Sequence, residues 1–243
     1  MKNPFGCFVQ SKLKFWKKPE PDSSTLPSKD SFRSPSPQHT TYPSSILKDF
    51  IAAVTRKPNP VVLDIGSVIG SNIEFFLNLG VKIYMEDLLP AYLNPLYTKL
   101  IDDKLTLDEQ KFFSENLQYE DTFFDGLICW DMMNYVDPRF AKAFAEAIAA
   151  KMRPDSYILG FFHTQKDKGT SALYKYRVCN ETMLEYIPIG LNLEVKRVYQ
   201  TRDVTQLFSG FQSQKFYLLK HNMLEVLLKK QSQSPTRQDF LNL

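Results

Sequence analysis

The segment from Val61 to Asp87 constrains the fold of this chain more than any other. It reads VVLDIGSVIGSNIEFFLNLGVKIYMED. Its short β-branched start, 61–63, is typical of a strand buried on both faces, and apolar residues at helical spacing follow over 71–79. A second apolar run then ends in two acids. The pattern predicts a β-α-β unit, the building block of a mostly parallel sheet with helices on both faces.

The loop between this strand and this helix has the chemistry of a ligand site. Gly66 and Gly70 allow a sharp turn and a close approach of the backbone, and amide groups at the start of the helix favour a negative charge. The dinucleotide template G-x-G-x-x-G, laid on Gly66, matches one of its three glycines, because Val68 and Ser71 occupy the other places. A template with glycines at 66, 68 and 70 matches two and includes the preceding acid, Asp64.

A second motif lies at Phe123 to Pro138 and reads FFDGLICWDMMNYVDP. It has a phenylalanine-aspartate pair, an apolar strand, polar residues and an aspartate-proline helix start. Together the two motifs resemble those of the class I S-adenosylmethionine-dependent methyltransferases, over roughly Ser44 to Lys229. The resemblance implies a Rossmann-like fold with a seven-stranded, possibly six-stranded, sheet and an antiparallel last strand. It also implies S-adenosylmethionine as the cofactor.

The resemblance and the predicted strand ends together give the candidate site residues. Asp87 is the expected ligand of the cofactor's ribose, with Glu86 the alternative if the strand register differs by one. Trp130 either flanks the cofactor or packs in the core. The cofactor-binding candidates are Asp64, Gly66, Ser67, Gly70, Glu86, Asp87, Trp130 and Asp131.

The catalytic candidates follow the fourth and fifth strands, because ligands of an open α/β sheet bind at the carboxyl ends of its strands. They are Asp131 and His163, with Asn134 and Tyr135 close to the first of them. A histidine can act as a general base near neutral pH, but His163 can equally be a structural group at the end of a strand.

Three departures from the family pattern favour a second interpretation. Val68 replaces the middle glycine, and we expect it to pack inside a rearranged loop rather than face the cofactor. Phe113 stands where an acid often contacts adenine, and 107–117 reads as a helix, so the usual third strand is short or missing. The alternative function is therefore a methyltransferase-like binding or regulatory module without turnover.

The rest of the pattern predicts alternating helices and strands. Tyr174, Tyr176 and Arg177 lie in an insert where the family commonly builds a substrate lid. The final two predicted strands are too close for a parallel crossover, so we expect the last to be antiparallel. The predicted elements are a helix over 45–55, a strand over 156–163, a helical and irregular segment over 170–190, a strand over 193–200, a helix over 203–208 and a last strand over 212–220.

Composition and charge predict one folded domain. The chain has 243 residues, 43% of them hydrophobic, enough for one well-filled core. We expect a disordered Pro/Ser-rich basic arm over 1–43, a methyltransferase-like domain over 44–230 and a tail over 231–243. Seven basic and three acidic residues give the arm +4, which leaves −1 of the total +3 for the remainder. A nearly neutral domain disfavours duplex nucleic acid and favours a small-molecule or protein methyl acceptor.

Cysteine spacing and hydropathy predict whether the protein has metal sites, disulfides or membrane-spanning segments. Cys7, Cys129 and Cys179 are widely spaced and form no C-x-x-C pair, so neither a metal site nor a disulfide framework is indicated. The longest apolar runs have the length of strands, and no apolar leader is visible, so we expect no transmembrane segment and a cytoplasmic location. The oligomeric state stays open.

Overall fold

The computed structural model describes residues 40–101, 103–166, 169–219 and 222–232. Strands β1 to β11 are Thr40–Pro43, Val61–Asp64, Lys82–Met85, Thr98–Ile101, Lys104–Leu107, Phe124–Cys129, Met152–His163, Thr170–Asn180, Met183–Glu194, Phe211–Leu218 and Met223–Lys230. Helices α1 to α6 are Leu47–Thr55, Gly70–Asn78, Leu88–Tyr92, Glu109–Glu115, Pro138–Lys151 and Thr201–Leu207, and short 3-10 helices lie at Pro95–Tyr97 and Asp131–Asn134.

The main sheet has six strands in the spatial order β10-β11-β7-β6-β2-β3. Neighbouring strands from β7 to β3 are parallel, and β11 is antiparallel to both β7 and β10. This confirms the Rossmann-like fold with an antiparallel last strand, in the six-stranded form. Strands β4 and β5 pair with each other instead of joining this sheet, so the third strand, expected to be short or missing, is not found in the main sheet among the described residues.

The register of the sheet brings three strand ends to one edge. Asp64, the last residue of β2, pairs with Met85 in β3 on one side and with Ile128 in β6 on the other. All three strands point the same way, so the loops that begin at 65, 86 and 130 leave the sheet side by side. This is the edge at which open α/β sheets bind their ligands.

Two apolar cores cover the two faces of the sheet. On one face, Phe140, Phe144 and Ile148 of α5 pack with α4 and α6. On the other face, Phe50 of α1 and Phe76 of α2 pack against the middle of the sheet. Helix α5 starts where the aspartate-proline motif predicts, because the Asp137 carboxylate accepts a hydrogen bond from the Arg139 amide at 2.8 Å.

A second sheet, in the order β1-β9-β8, replaces the helical and irregular segment expected over 170–190. That expectation is wrong because two features disguise the strands. A register shift between Ala172 and Tyr174 breaks the alternation of buried residues in β8. In β9, Pro188 and Gly190 are unusual for a strand, but β1 pairs with β9 only up to Tyr186, so Pro188 lies where that edge needs no amide donor.

The end of the chain also differs from the sequence prediction. The strand expected over 193–200 is wrong, because β9 ends at Glu194 and 195–200 is not a strand. The strand expected over 212–220 corresponds to β10, which is not the antiparallel one. The antiparallel strand is β11, whose sequence MLEVLLKK is rich in residues that favour helices. Burial between β7 and β10 overrides that local preference.

The folded part of the chain begins earlier than the sequence predicts. Thr40–Pro43, which the sequence assigns to the arm, form β1 and pair with Met183 to Tyr186. These four residues pair with β9 and therefore belong to the folded part of the chain. Residues 1–39 and 233–243 lie outside the described residues, so the remaining arm and tail stay predictions. No helix in the described ranges combines the length and apolar character needed to cross a bilayer.

Candidate active site

A cleft of about 940 Å³ opens at the carboxyl edge of the main sheet. Its floor comes from the loops after β2, β3 and β6, and β8 and β9 of the second sheet form one wall. This volume is typical of a small-molecule site. The lining residues are Ile65, Gly66, Ser67, Asp87, Leu89, Pro90, Ala91, Leu93, Asn94, Pro95, Leu96, Tyr97, Glu115, Asn116, Gln118, Trp130, Asp131, Met132, Leu173, Tyr174, Tyr176, Ile189 and Leu191.

Asp64 fixes the glycine loop from beneath the cleft. One carboxylate oxygen, Oδ1, accepts hydrogen bonds from the Gly66 amide at 2.8 Å and from the Trp130 indole Nε1 at 2.7 Å. The other, Oδ2, is buried and has no hydrogen-bond partner among the described residues. Burial raises the pKa of Asp64 to about 7, against the lowering effect of these two donors. Asp64 itself does not line the cleft. Its predicted contact with a ligand stays a prediction.

The raised pKa of Asp64 predicts a pH-dependent stability. The folded state holds the proton more tightly than the unfolded state, so this contribution is complete below about pH 4 and is lost as pH rises through 7. Asp64→Asn removes the titration and supplies a donor in place of the orphaned Oδ2. Between pH 5 and pH 8 we expect the unfolding free energy of the wild type to fall by roughly 2–3 kcal/mol relative to the variant. Urea denaturation at both pH values measures it.

A matched control separates this effect from general loss of negative charge. Glu74→Gln removes an exposed carboxylate of α2, and its stability difference from wild type should not change between the two pH values. Parallel curves for wild type and Asp64→Asn would show that the carboxylate is solvated in the folded protein.

Trp130 packs directly over Gly66. A Cβ on Gly66 would lie 2.2 Å from Trp130 Cδ1, so only glycine leaves room for the indole. The ring stacks against Phe161 and Tyr176, with centroid distances of 5.3 and 4.8 Å. Trp130 is therefore a core residue that also lines the cleft, and its predicted place beside the cofactor stays a prediction.

Of the two acids after β3, only Asp87 lines the cleft. Burial raises its pKa, while a hydrogen bond from the Ser67 hydroxyl and the charge of Lys175 lower it. Ser67 lines the cleft beside it. The Glu86 carboxylate is instead turned to the chain after α4, where it accepts a hydrogen bond from the Leu117 amide at 3.3 Å. The predicted role of Glu86 in the cofactor site therefore has no geometric support.

Asp131 and His163 are brought together, although 31 residues separate them in the chain. His163 Nε2 and the Tyr135 hydroxyl lie 3.2 and 3.3 Å from Asp131 Oδ2, and 3.2 Å from each other. Asn134 fixes this arrangement, because its Oδ1 accepts the His163 amide at 3.0 Å. Asp131 lines the cleft and His163 does not. The contact of His163 with Asp131 links it to the cleft, and its catalytic role stays a prediction.

The wall formed by β8 is fastened to the first turn of α2. The Asn72 side chain is buried, donates to the Tyr176 carbonyl at 2.9 Å and accepts from the Val178 amide at 2.8 Å. The Tyr176 hydroxyl is buried without a hydrogen-bond partner in the described part of the chain. Burial, with the charge of Asp131, raises its pKa far above the usual value. Of the predicted lid residues, Tyr174 and Tyr176 line the cleft, while Arg177 pairs with Glu185.

Gly70 and Val68 do not occupy the predicted positions. Gly70 begins α2, does not line the cleft, and has open space where a Cβ would stand. Its predicted cofactor contact is therefore not supported by this geometry. Val68 was expected inside the loop but is 40% exposed. The loop bends so that position 68 faces solvent, and no crowding of the cleft results.

Replacement of Val68 by glycine should therefore leave ligand affinity unchanged. We expect Val68→Gly to lower the unfolding free energy by roughly 0.5–1 kcal/mol, because a freer backbone must be ordered. Denaturation and a parallel titration with S-adenosylhomocysteine measure the two effects. A clear gain in affinity would mean that the valine crowds the ligand after all.

The sequence analysis did not predict the apolar residues at the opening of the cleft or the hydrogen bonds of Asn72 to β8. Leu93 and Leu96 come from the stretch after α3, and Ile189 and Leu191 come from β9. The sequence signal for the first pair was the apolar, proline-interrupted run DLLPAYLNPLY after the second strand. No local signal marks Asn72, whose partners lie more than 100 residues away. The described residues contain no group of three or more His, Cys, Asp or Glu side chains that could hold a metal ion.

Comparison with known proteins gives the class that this fold and cleft define. A model of the methyltransferase domain family matches residues 39–212, well over half of the chain. The chain therefore belongs to the methyltransferase domain family. It is a class I S-adenosylmethionine-dependent methyltransferase by family, and the cofactor of that family is S-adenosylmethionine.

The solved structures that this chain is similar to are distant in sequence. An S-adenosylmethionine-dependent methyltransferase from Clostridium acetobutylicum is 14% identical, with a TM-score of 0.47, over 76% of this chain and 91% of that one. The 1,6-didemethyltoxoflavin-N1-methyltransferase of Burkholderia thailandensis is 15% identical, with a TM-score of 0.46, over 77% and 79%. No curated protein sequence matches this chain.

Proposed function

We propose that this protein binds S-adenosylmethionine in the cleft at the carboxyl edge of the main sheet and methylates a small-molecule acceptor. The observation that carries the proposal is the position of Asp87, which lines this cleft at the end of β3 with Ser67 beside it. A carboxylate there accepts hydrogen bonds from a pair of ribose hydroxyls. Asn116 and Gln118 line the same cleft and offer amide groups to a nucleobase.

The residues present fit the cofactor through two further features. The cleft is large enough for a nucleoside together with an acceptor. Tyr176 also lines it, with its hydroxyl buried near the Asp131 carboxylate, so this wall offers a ligand an aromatic ring. When bound, S-adenosylmethionine supplies an electrophilic methyl group carried on a sulfonium.

The contribution of the chain to the reaction is positioning and proton removal. The cleft holds two ligands at fixed orientation, which is the main requirement of an in-line displacement. Asp131 is the charged group that can take a proton from an acceptor held near it. Tyr135 and His163 position its carboxylate through Oδ2 and can share the proton. His163 is thus a positioning residue in this proposal.

A second function is favoured by one observation, the indole of Trp130 over Gly66. In a working cofactor loop the ligand approaches the glycine backbone, but here the protein's own ring fills the space directly above Gly66. If the ring excludes the methionine part of the cofactor, the protein is a nucleoside-binding or regulatory module without turnover.

Comparison of adenosine with S-adenosylhomocysteine separates the two functions. Both ligands share the ribose that faces Asp87, and only the second carries the amino-acid part. For an enzyme we expect S-adenosylhomocysteine to bind at least about tenfold more tightly, a difference of roughly 1.4 kcal/mol. Equal affinities, measured by calorimetric titration, would contradict the enzyme and support the regulatory module.

A further inference from the structure

The charged residues that line the cleft all have the same sign. They are Asp87, Glu115 and Asp131, and no lysine, arginine or histidine lines the cleft in the described part of the chain. The charge of Lys175, which is outside the lining, lowers the pKa of Asp87. An acceptor whose only charge is a phosphate or carboxylate would lose its water in this cleft without gaining a paired cation, whereas the carboxylate of the cofactor comes with its own ammonium group. The charge of the cleft therefore disfavours anionic acceptors and favours neutral or cationic ones.

The mouth of the same cleft is apolar and open. Leu93 and Leu96 are 46% and 47% exposed on one side, and Tyr174 and Leu191 are 38% and 59% exposed on the other. Large apolar side chains gathered around a cleft while exposed to water indicate a binding surface. A ligand body of hydrocarbon or aryl character would cover them.

We propose that the methyl acceptor is an apolar amine, with its basic nitrogen at Asp131 and its hydrocarbon or aryl body between the leucines of the mouth. This inference rests on the proposed methyltransferase function, because it names the substrate class of that same site. It depends on two features together, the uniformly acidic lining and the apolar rim.

Asp131 is the acid best placed for the nitrogen. Asp87 is assigned to the ribose, and Glu115 already accepts a hydrogen bond from the Tyr97 hydroxyl at 3.2 Å. Asp131 contacts Tyr135 and His163 through Oδ2 and lines the cleft, where its carboxylate can accept an N–H of the ligand. Tyr176 lines the same cleft, and its buried hydroxyl lies near the Asp131 carboxylate.

The test uses three probes that share one aryl body and differ only in the polar end: 4-phenylbutylamine, 4-phenylbutanol and 4-phenylbutyrate. Each is titrated calorimetrically into the full chain saturated with S-adenosylhomocysteine. We expect the amine to bind at least tenfold more tightly than the alcohol, and the carboxylate to bind more weakly than both. A carboxylate that binds as tightly as the amine would overturn the proposal.

Two variants locate the binding of the amine. Asp131→Asn should bring the amine to the affinity of the alcohol or below it, with the variant's thermal unfolding checked for a native transition. Leu96→Ser should weaken the amine and the alcohol by the same factor. Leu77→Ser is the matched control, because Leu77 is 48% exposed on α2 and does not line the cleft. An amine preference that survives Asp131→Asn would refute the assignment.

Titration of S-adenosylhomocysteine alone distinguishes failure of this inference from failure of the proposed function. If S-adenosylhomocysteine binds and the amine shows no preference over the carboxylate, the acceptor class is wrong and the cofactor site stands. If the amine preference holds in a chain that does not bind S-adenosylhomocysteine, the amine site stands without the methyltransferase function, and the amine is not a methyl acceptor.

Discussion

Gly66→Ala should destabilise the protein by roughly 1–3 kcal/mol, the usual cost of added atoms in a packed core. The new Cβ would stand 2.2 Å from Trp130 Cδ1 and 2.5 Å from Nε1, closer than any unstrained contact. The indole also packs against Phe161 and Tyr176 and donates a hydrogen bond to Asp64, so a displaced ring would lose these contacts. Urea denaturation measures the loss, and near-ultraviolet circular dichroism reports the displaced indole.

Gly70→Ala makes the same chemical change four residues later and serves as the control. Open space surrounds that position at the start of α2, and alanine reduces the entropy of the unfolded chain. We therefore expect Gly70→Ala to be neutral or to stabilise the protein by up to about 1 kcal/mol. Similar losses in both variants would mean that the loop, rather than the indole, demands glycine.

Asp87→Ala should reduce the affinity for S-adenosylhomocysteine by roughly 10- to 100-fold. The reason is the loss of a charged acceptor for the ribose hydroxyls, and hydrogen bonds to charged groups contribute about 1.5–3 kcal/mol each. Isothermal titration at constant pH measures the change. Ser67→Ala removes the hydroxyl that bonds the Asp87 carboxylate, and we expect it to weaken binding less than Asp87→Ala does.

The neighbouring acid provides the matched control for Asp87. Glu86→Gln keeps an oxygen that can accept from the Leu117 amide, and the affinity for S-adenosylhomocysteine should stay within about twofold of wild type. If Glu86→Gln abolishes binding while Asp87→Ala does not, the ribose ligand is the other acid and the proposed pose is wrong.

Local periodicity was enough to predict the centre of this fold. The β-α-β unit from Val61 to Asp87 and the strand and helix around Pro138 depend on patterns within about twenty residues, and both were confirmed. The missing third strand could also be predicted, because helical spacing over 107–117 left no room for it. Here sequence and structure agree because local preference and tertiary packing favour the same elements.

The failures occurred where distant partners decide the structure. A bulge in β8 and a proline in β9 interrupt the alternation of buried residues, and those strands exist because they pair with each other and with β1. Strand β11 has a helix-favouring composition and becomes a strand between β7 and β10. In each case tertiary pairing outweighs intrinsic propensity.

In the candidate site, too, residues within one short segment could be predicted and contacts between distant segments could not. Asp64, Gly66 and Asp87 could be assigned from one short segment, since they follow directly from strand ends. The packing of Trp130 over Gly66 could not be predicted, because 63 residues separate them and only the sheet register brings them together. The same holds for Asn72, which fastens β8 to α2 across more than 100 residues.

Titration of the full chain with S-adenosylhomocysteine tests the central claim most directly. Occupation of the cleft by the cofactor predicts saturable binding of one ligand per chain, with a dissociation constant below about 100 μM, equivalent to roughly −5.5 kcal/mol. In a parallel titration, Asp87→Ala should bind S-adenosylhomocysteine roughly 10- to 100-fold more weakly than the wild type. No saturable binding at millimolar ligand, in a wild-type chain that unfolds cooperatively, would contradict the claim that this cleft is a cofactor site.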